Sequence, residues 1–359
     1  MTALAVPSSF DDVTVSWLNA ALRQGGAQAV EVTAVEVEPL GAGVGLLGDL
    51  ARLHLATTNG AGPARLIVKL PTTDPGGREV GAMLGAWARE VAFYRELVPQ
   101  APGIAVPHCY HAAGDPAAER WVVLLEDCGP GTGAYEPRND ASRREADAAV
   151  VALAAFHARW WGSPTRFSWM PGFDRGGIGG LTPAWLDSHP VFLERFHHLI
   201  PEPTGSWLTR FAPTLSTWSE RAATEPLTIV HADYRLANLV FNSDDDGSVT
   251  MIDWQTALVG PAAMDLSCFI ATSLTVDDRR SWETDLIDRY AAELATNGVD
   301  VDRQWLDRSY DENLLWWMGQ FANNLARLRP DPDTQRSLDA MIERTFTAAL
   351  DRDVGRLLD

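Results

Sequence analysis

An aspartate, an asparagine and a second aspartate stand at positions 233, 238 and 253, within His231-Ala-Asp233-Tyr-Arg235-Leu-Ala-Asn238 and Met251-Ile-Asp253-Trp254. Apolar runs, Leu227–Val230 and Val249–Ile252, lead into the two segments, so the polar groups fall in a loop and beside a hairpin. Phosphoryl transfer asks for this set. One carboxylate must orient and deprotonate an attacking hydroxyl, while an amide oxygen and a second carboxylate hold the metal that bridges the phosphates. The residues alone leave a plainer possibility open, a turn with Asx caps beside a surface aspartate. His231 taken alone fits a structural residue bonded to backbone as readily as any chemical role.

The elements that must position these residues are legible from periodicity. Residues 13–24 carry Val13, Trp17, Leu18, Ala21 and Leu22 at helical spacing. Ala29–Pro39, Leu50–Thr57, Ala64–Leu70, Val106–Ala113 and Trp121–Glu126 are rich in strand formers, and residues 79–98 follow a helical pattern. Beyond Gly129–Gly133 the character changes. Ser142–Trp161 is an Ala-rich helix and helices dominate to the end, apart from the strand-like block at Leu227–Trp254. The chain therefore divides into a β-rich part, 1–126, and a mainly helical part, 127–359.

Two features of the β-rich part could serve a nucleotide. Lys69 closes the run Arg65-Leu-Ile-Val-Lys69. Such a lysine either snorkels to solvent or supplies the cation that touches nucleotide phosphates, held by a carboxylate from the next helix. Gly41-Ala-Gly-Val44-Gly45 lies between two strands, lacks the Gly-Lys-Ser/Thr ending of a P-loop, and is weak evidence by itself.

The segment His231-x-Asp233-x-x-x-x-Asn238, followed by Ile252-Asp253, resembles the catalytic loop of the aminoglycoside phosphotransferase and choline kinase superfamily, relatives of protein kinases. Asp253-Trp254-Gln255, Gly260-Pro261 and Asp265-Leu266 resemble most its ecdysteroid-kinase-like branch and the bacterial relatives of that branch. The likeness extends over most of the chain and is firmest at 64–127 and 227–275. It implies an α+β, protein-kinase-like fold of two lobes, a small β-rich N-lobe and a large mainly helical C-lobe. It implies Asp233 as catalytic base, Asn238 and Asp253 as Mg2+ ligands, His231 as a brace of the loop and Asp265 as a buried support of the loop backbone. Arg235 either steadies the loop or meets the transferred group. For ATP it implies Lys69 with Glu90, the latter in Glu90-x-x-Phe93-Tyr94, with Glu79 as the alternative partner. Backbone N–H groups at Gly41, Gly43 and Val44 would approach the phosphates, and backbone groups at Leu125, Glu126 and Asp127 would meet adenine. The apolar Leu46-Leu47-Gly48 departs from the protein-kinase pattern.

The expected activity is an ATP-dependent small-molecule kinase, a phosphotransferase with an alcohol acceptor that is a natural product, an aminoglycoside-like compound or an amino alcohol. The alternative is a catalytically inactive kinase fold that binds or regulates, although neither the lysine, the base nor a metal ligand is missing. A protein kinase is disfavoured because Gly260-Pro261 follows Asp253 too soon for a peptide-docking segment. The acceptor would lie on the helical part, with walls drawn from Trp160, Trp161, Trp169, Phe173, Asp174 and Trp185, and from Tyr310, Asp311, Glu312, Trp316, Trp317, Gln320, Asn323 and Asn324; ordinary helix packing explains the same residues.

Bulk properties agree. Lys and Arg total 29 against 48 Asp and Glu, a formal charge of −19, which argues against a broad nucleic-acid surface and leaves room for cationic small molecules, while solubility or a general acidic bias explains it equally. The three cysteines, Cys109, Cys128 and Cys268, form no Cys-x-x-Cys pair, so neither a zinc site nor a disulfide framework is expected. No secretory signal and no apolar run long enough for a membrane is evident, so a cytoplasmic protein, monomeric or a simple homodimer, is the expectation.

Overall fold

The computed structural model describes residues 4–40, 47–60, 62–129, 140–162, 167–173, 178–241 and 248–359. Gly41, Gly43, Val44 and Asp174, named above, lie outside the described residues. The chain forms two compact units, Met1–Tyr135 with Thr250–Thr256, and Glu136–Val249 with Ala257–Asp359. The architecture is α+β, a small N-terminal sheet lobe and a larger helical lobe of protein-kinase type.

In the first unit, helix α1 (Val15–Gln24) precedes strands β1 (Val32–Leu40), β2 (Gly48–Thr57) and β3 (Arg65–Pro71). Helices α2 (Pro75–Leu84) and α3 (Ala86–Ala92) follow, then β4 (Cys109–Asp115) and β5 (Arg120–Glu126). The sheet order is β1-β2-β3-β5-β4 and its pairings are antiparallel. Trp17, Leu18, Ala21 and Leu22 of α1 pack on Leu53, Leu66, Val68 and Leu124 of the sheet. The single helix expected over 79–98 is instead broken. Gly85 adopts φ +64, a left-handed cap that ends α2, and α3 starts afresh before running into a π turn at Phe93–Leu97.

The second unit opens with α4 (Arg143–Trp160), started by a capping box between Ser142 and Glu145. Then come α5 (Thr182–Phe196), α6 (Thr204–Phe211), α7 (Leu215–Ala222), and strands β6 (Leu227–Val230) and β7 (Leu239–Phe241). Strand β8 (Val249–Met251) crosses from this unit into the first, and β9 (Leu258–Pro261) pairs antiparallel with β6. Helices α8 (Ala263–Ser273), α9 (Val276–Thr296), α10 (Arg303–Leu325) and α11 (Pro332–Asp351) complete the chain. Every residue of α8 is buried, so it is the axis on which α10 and α11 pack. Among the described residues, no helix is long and apolar enough to cross a membrane.

Candidate active site

Lys69 pairs with Leu50 on one side and Val123 on the other, in the middle of the first unit's sheet. Its side chain does not snorkel; the residue is 7% exposed. A buried ammonium demands counter-charge, and two carboxylates supply it: Glu90 Oε2 at 2.8 Å and Asp253 Oδ1 at 2.6 Å. Burial works against the ammonium, yet Asp253 and then Glu90 outweigh it and hold Lys69 above its ordinary range. Burial likewise raises the Glu90 carboxyl; Lys69 pulls it back and the charge of Asp253 adds to the rise. Glu79, the alternative partner, is exposed on α2.

Neighbouring groups fix this cluster. The space beside the lysine stem belongs to Gly48, where a Cβ would come within 2.8 Å of Lys69 Cε. Trp87, one turn before Glu90 on α3, donates its indole N–H to Leu47 O at 2.7 Å, and the Thr72 N–H donates to the same oxygen at 3.1 Å. Asp253 takes φ +65, a left-handed conformation that aspartate tolerates better than most residues. Trp254 behind it stacks on Phe93, centroids 4.2 Å apart and planes 10° from parallel. The Met251 N–H donates to Ala105 O at 2.8 Å, tying the segment's start into the same unit. Gln255 Nε2 donates to the second oxygen of Asp253 at 3.2 Å.

At the end of β5, Leu125 is a paired sheet residue, and the Glu126 N–H donates to His108 O at 2.8 Å. The Asp127 carboxylate is buried against Arg52 Nε at 2.9 Å and Arg65 Nε at 3.2 Å, and accepts from the Gly129 N–H at 3.1 Å. Its side chain thus holds the segment to β2 and β3.

In the second unit the loop after β6 carries Asp233, Arg235 and Asn238. Asn238 Nδ2 donates to Asp233 Oδ2 at 2.7 Å and to Asp233 O at 2.8 Å, while Arg235 Nε meets Asp233 Oδ1 at 3.1 Å. Asn238 is buried; Asp233 and Arg235 are half-buried. The amide nitrogen of Asn238 is committed twice, which turns its Oδ1 outward from the pair as an acceptor.

The loop is braced from beneath. Asp265, fully buried in the first turn of α8, accepts the main-chain N–H of His231 at 2.6 Å and of Ala232 at 2.8 Å. Ala232 sits at φ +58, a conformation costing about 1–3 kcal/mol outside glycine, which these two bonds help hold. Asp265 is therefore no N-cap; that position is Ala262, and the carboxylate points to the loop. His157 of α4 reaches Asp265 Oδ2 at 3.2 Å through Nε2 and Tyr290 Oη at 2.7 Å through Nδ1. The Leu236 N–H donates to Ser273 Oγ at 2.9 Å, and Tyr234 Oη donates to Ala149 O at 2.8 Å. His231 joins this brace through its main chain, with its ring buried.

Several residues expected as acceptor walls are packing. Trp185, Trp218 and Trp316 form a buried cluster, with centroids 5.3 Å apart for Trp185–Trp316 and 5.4 Å for Trp218–Trp316, and Phe173 closes it. A Cβ on Gly319 would lie 2.0 Å from the Trp185 ring. Trp160, Tyr310 and Trp317 are buried too, Asp311 is gripped by Arg352 and Arg356, and Glu312 is held by Arg221 at 3.0 Å.

Residues 49–307 match the model of the phosphotransferase enzyme family. The chain belongs to that family. Its fold is similar to that of choline kinase from Cryptosporidium parvum Iowa II, with a TM-score of 0.55 and 13% identity over 94% of this chain and 95% of that one. Aminoglycoside phosphotransferase APH(3'')-Id from Streptomyces rimosus aligns with a TM-score of 0.48 and 18% identity, over 82% of this chain and 95% of that one. Choline kinase LicA from Streptococcus pneumoniae aligns at 0.47 and 14%, over 90% and 98%. No curated protein sequence matches the chain.

Among the described residues, no group of three or more His, Cys, Asp and Glu is placed to hold a metal. Asn238 in the second unit and Asp253 in the first each carry a hard oxygen donor of the kind that suits Mg2+.

Proposed function

We propose that this phosphotransferase uses Mg-ATP to phosphorylate a hydroxyl of a small molecule. The observation that carries this reading is the Lys69–Glu90–Asp253 cluster, one ammonium and two carboxylates kept together at 2.8 Å and 2.6 Å in a largely buried place. Burying such charges is a poor way to gain stability, and a purpose in handling nucleotide phosphates accounts for it. In this reading Lys69, aligned by Glu90, contacts the phosphates. Asn238 and Asp253 hold Mg2+, which neutralises charge on the β- and γ-phosphates when bound. Asp233 orients the acceptor hydroxyl and takes its proton as the oxygen bonds to the γ-phosphorus and the bond to the bridging oxygen breaks, giving a phosphate monoester and ADP. Arg235, bonded to Asp233, steadies that carboxylate. Gly41, Gly43 and Val44 would cover the phosphates, and backbone groups within Leu125–Asp127 would meet adenine.

For the acceptor, an aminoglycoside-like compound, an amino alcohol or another hydroxylated natural product is proposed, with the net charge of −19 favouring a cationic one. The walls that stay partly exposed are Trp161, Trp169, Gln320, Asn323 and Asn324. Asp253-Trp254-Gln255 with Gly260-Pro261 supports the ecdysteroid-kinase-like branch. The test is ADP release from Mg-ATP across aminoglycosides, choline-like amines, sugars, macrolides and sterol-like alcohols, beside the Asp233→Asn protein. Release that needs both an acceptor and Asp233 supports the reading; absence of nucleotide binding sinks it.

A further inference from the structure

We infer that Trp87 is a positioning residue for the Lys69–Glu90 pair, tying the helix that carries Glu90 to the strand that lies beside the lysine. The inference rests on the reading of that pair as the group that handles nucleotide phosphates. Lys69 belongs to the sheet, whose ladder sets it against Leu50 and Val123. Glu90 rides on α3, which no ladder holds. The left-handed Gly85 interrupts the helical run between α2 and α3, so the seven residues Ala86–Ala92 are not steered by the helix before them. Side chains have to anchor this short helix, and two of them stand three residues either side of Glu90. Phe93 stacks on Trp254. Trp87 donates its indole N–H to Leu47 O at 2.7 Å, from 40 residues away in sequence. The Thr72 N–H meets the same oxygen at 3.1 Å, but that bond extends the pairing of β2 with β3 and stays within the sheet. Of the two bonds, the indole's is the one that reaches α3. Leu47 adjoins Gly48, whose missing Cβ leaves the space for the Lys69 stem.

The pose of the ring is specified closely. A Cβ on Gly81 of α2 would lie 2.5 Å from the Trp87 ring. A Cβ on Gly114 of β4 would lie 2.7 Å from Trp121, the ring that Trp87 meets at 5.5 Å. Glycine within a helix is destabilising relative to alanine, so the room kept at Gly81 serves the indole. An apolar ring could fill that room; it could not supply the donor. Nor does burial of an indole force such a bond in this fold. Among the described residues, Trp160, Trp185 and Trp218 are buried with their indole N–H groups unpartnered.

The test is a double-mutant cycle on Mg-ATP affinity, read by isothermal titration calorimetry on the full-length protein, with thermal unfolding beside it. Trp87→Phe keeps an aromatic ring and removes the donor, while Leu47 O retains the Thr72 N–H. It is expected to weaken Mg-ATP about fivefold, the net worth of one neutral hydrogen bond. In the Glu90→Gln protein, itself weakened for Mg-ATP, the same substitution should change affinity by less than about twofold, since Trp87 acts through Glu90. The melting temperature should fall equally in both backgrounds, because the void left by the smaller ring is common to them. Equal weakening of Mg-ATP in both backgrounds would make Trp87 a packing residue and overturn the inference. So would unchanged affinity in Trp87→Phe, with the kinase reading left standing as long as Glu90→Gln weakens Mg-ATP. If Glu90→Gln binds Mg-ATP as wild type does, the reading of the pair fails and the inference falls with it. Gly81→Ala, which pushes the ring from its seat, runs the same cycle should Trp87→Phe not fold.

Discussion

The two units hold their working residues in opposite ways. In the first, the groups that would touch the nucleotide hold one another: Lys69, Glu90 and Asp253 are each other's partners. In the second, Asp233 stays half-exposed, and the burden of support passes to Asp265, which is buried, bonds to main chain and has no expected contact with substrate. The first arrangement entangles function with stability. The second separates them, so Asp233 can be changed without disturbing what shapes its loop.

Substitutions test that contrast, the largest effect first. Asp233→Asn should lower kcat by about 10²–10⁴-fold, the usual worth of a general base, while thermal unfolding stays at the wild-type temperature. A lost fold in that variant would break the contrast. Lys69→Met leaves two carboxylates without their cation and should cost about 3–5 kcal/mol of stability in urea unfolding, along with nucleotide affinity. Asp265→Asn trades one acceptor oxygen for a donor facing a main-chain N–H. It should cost about 1–3 kcal/mol and lower kcat through the loop, with KM for ATP held.

Glu90→Gln should do least to stability and has a pH signature. The folded protein raises the Glu90 carboxyl above its unfolded value, so it holds that proton more tightly than the unfolded chain. Wild-type stability from this group is therefore fully present below the unfolded value and lost as pH rises through the folded one. The glutamine protein should gain on wild type over that rise, read as the difference in melting temperature between pH 4.5 and pH 7. Its kcat/KM for ATP should nevertheless fall about 10²-fold, the scale of a misplaced group.

Much of this was legible because polar residues in loops carry their spacing in the sequence. The spacing of Asp233, Asn238 and Asp253, and the position of Glu90 before Phe93-Tyr94, mark them out without coordinates. His157 was not legible: a histidine on an Ala-rich helix looks like core, and its partner Tyr290 is 133 residues away. Which of the candidate walls are packing was illegible for the reverse reason. Tryptophans in helices satisfy a ligand cage and a core equally, and only packing distinguishes them, as Gly319 against Trp185 does. The break at Gly85 was hidden because apolar periodicity continues across a cap on both sides. Gln255 stood in a motif, but its bond to Asp253 depends on a rotamer that no spacing encodes.

The sheet unit is not contiguous in sequence: Thr250–Thr256 joins it after an excursion of more than a hundred residues through the helical unit. During synthesis its first stretch therefore emerges roughly ten seconds before the piece that completes it, at the usual ribosomal pace. Until then Phe93 lacks the Trp254 ring and Lys69 has only Glu90. A nascent chain halted anywhere between the two segments carries Phe93 without the ring that stacks on it. The charge cluster can be assembled only on a chain whose translation has passed Asp253.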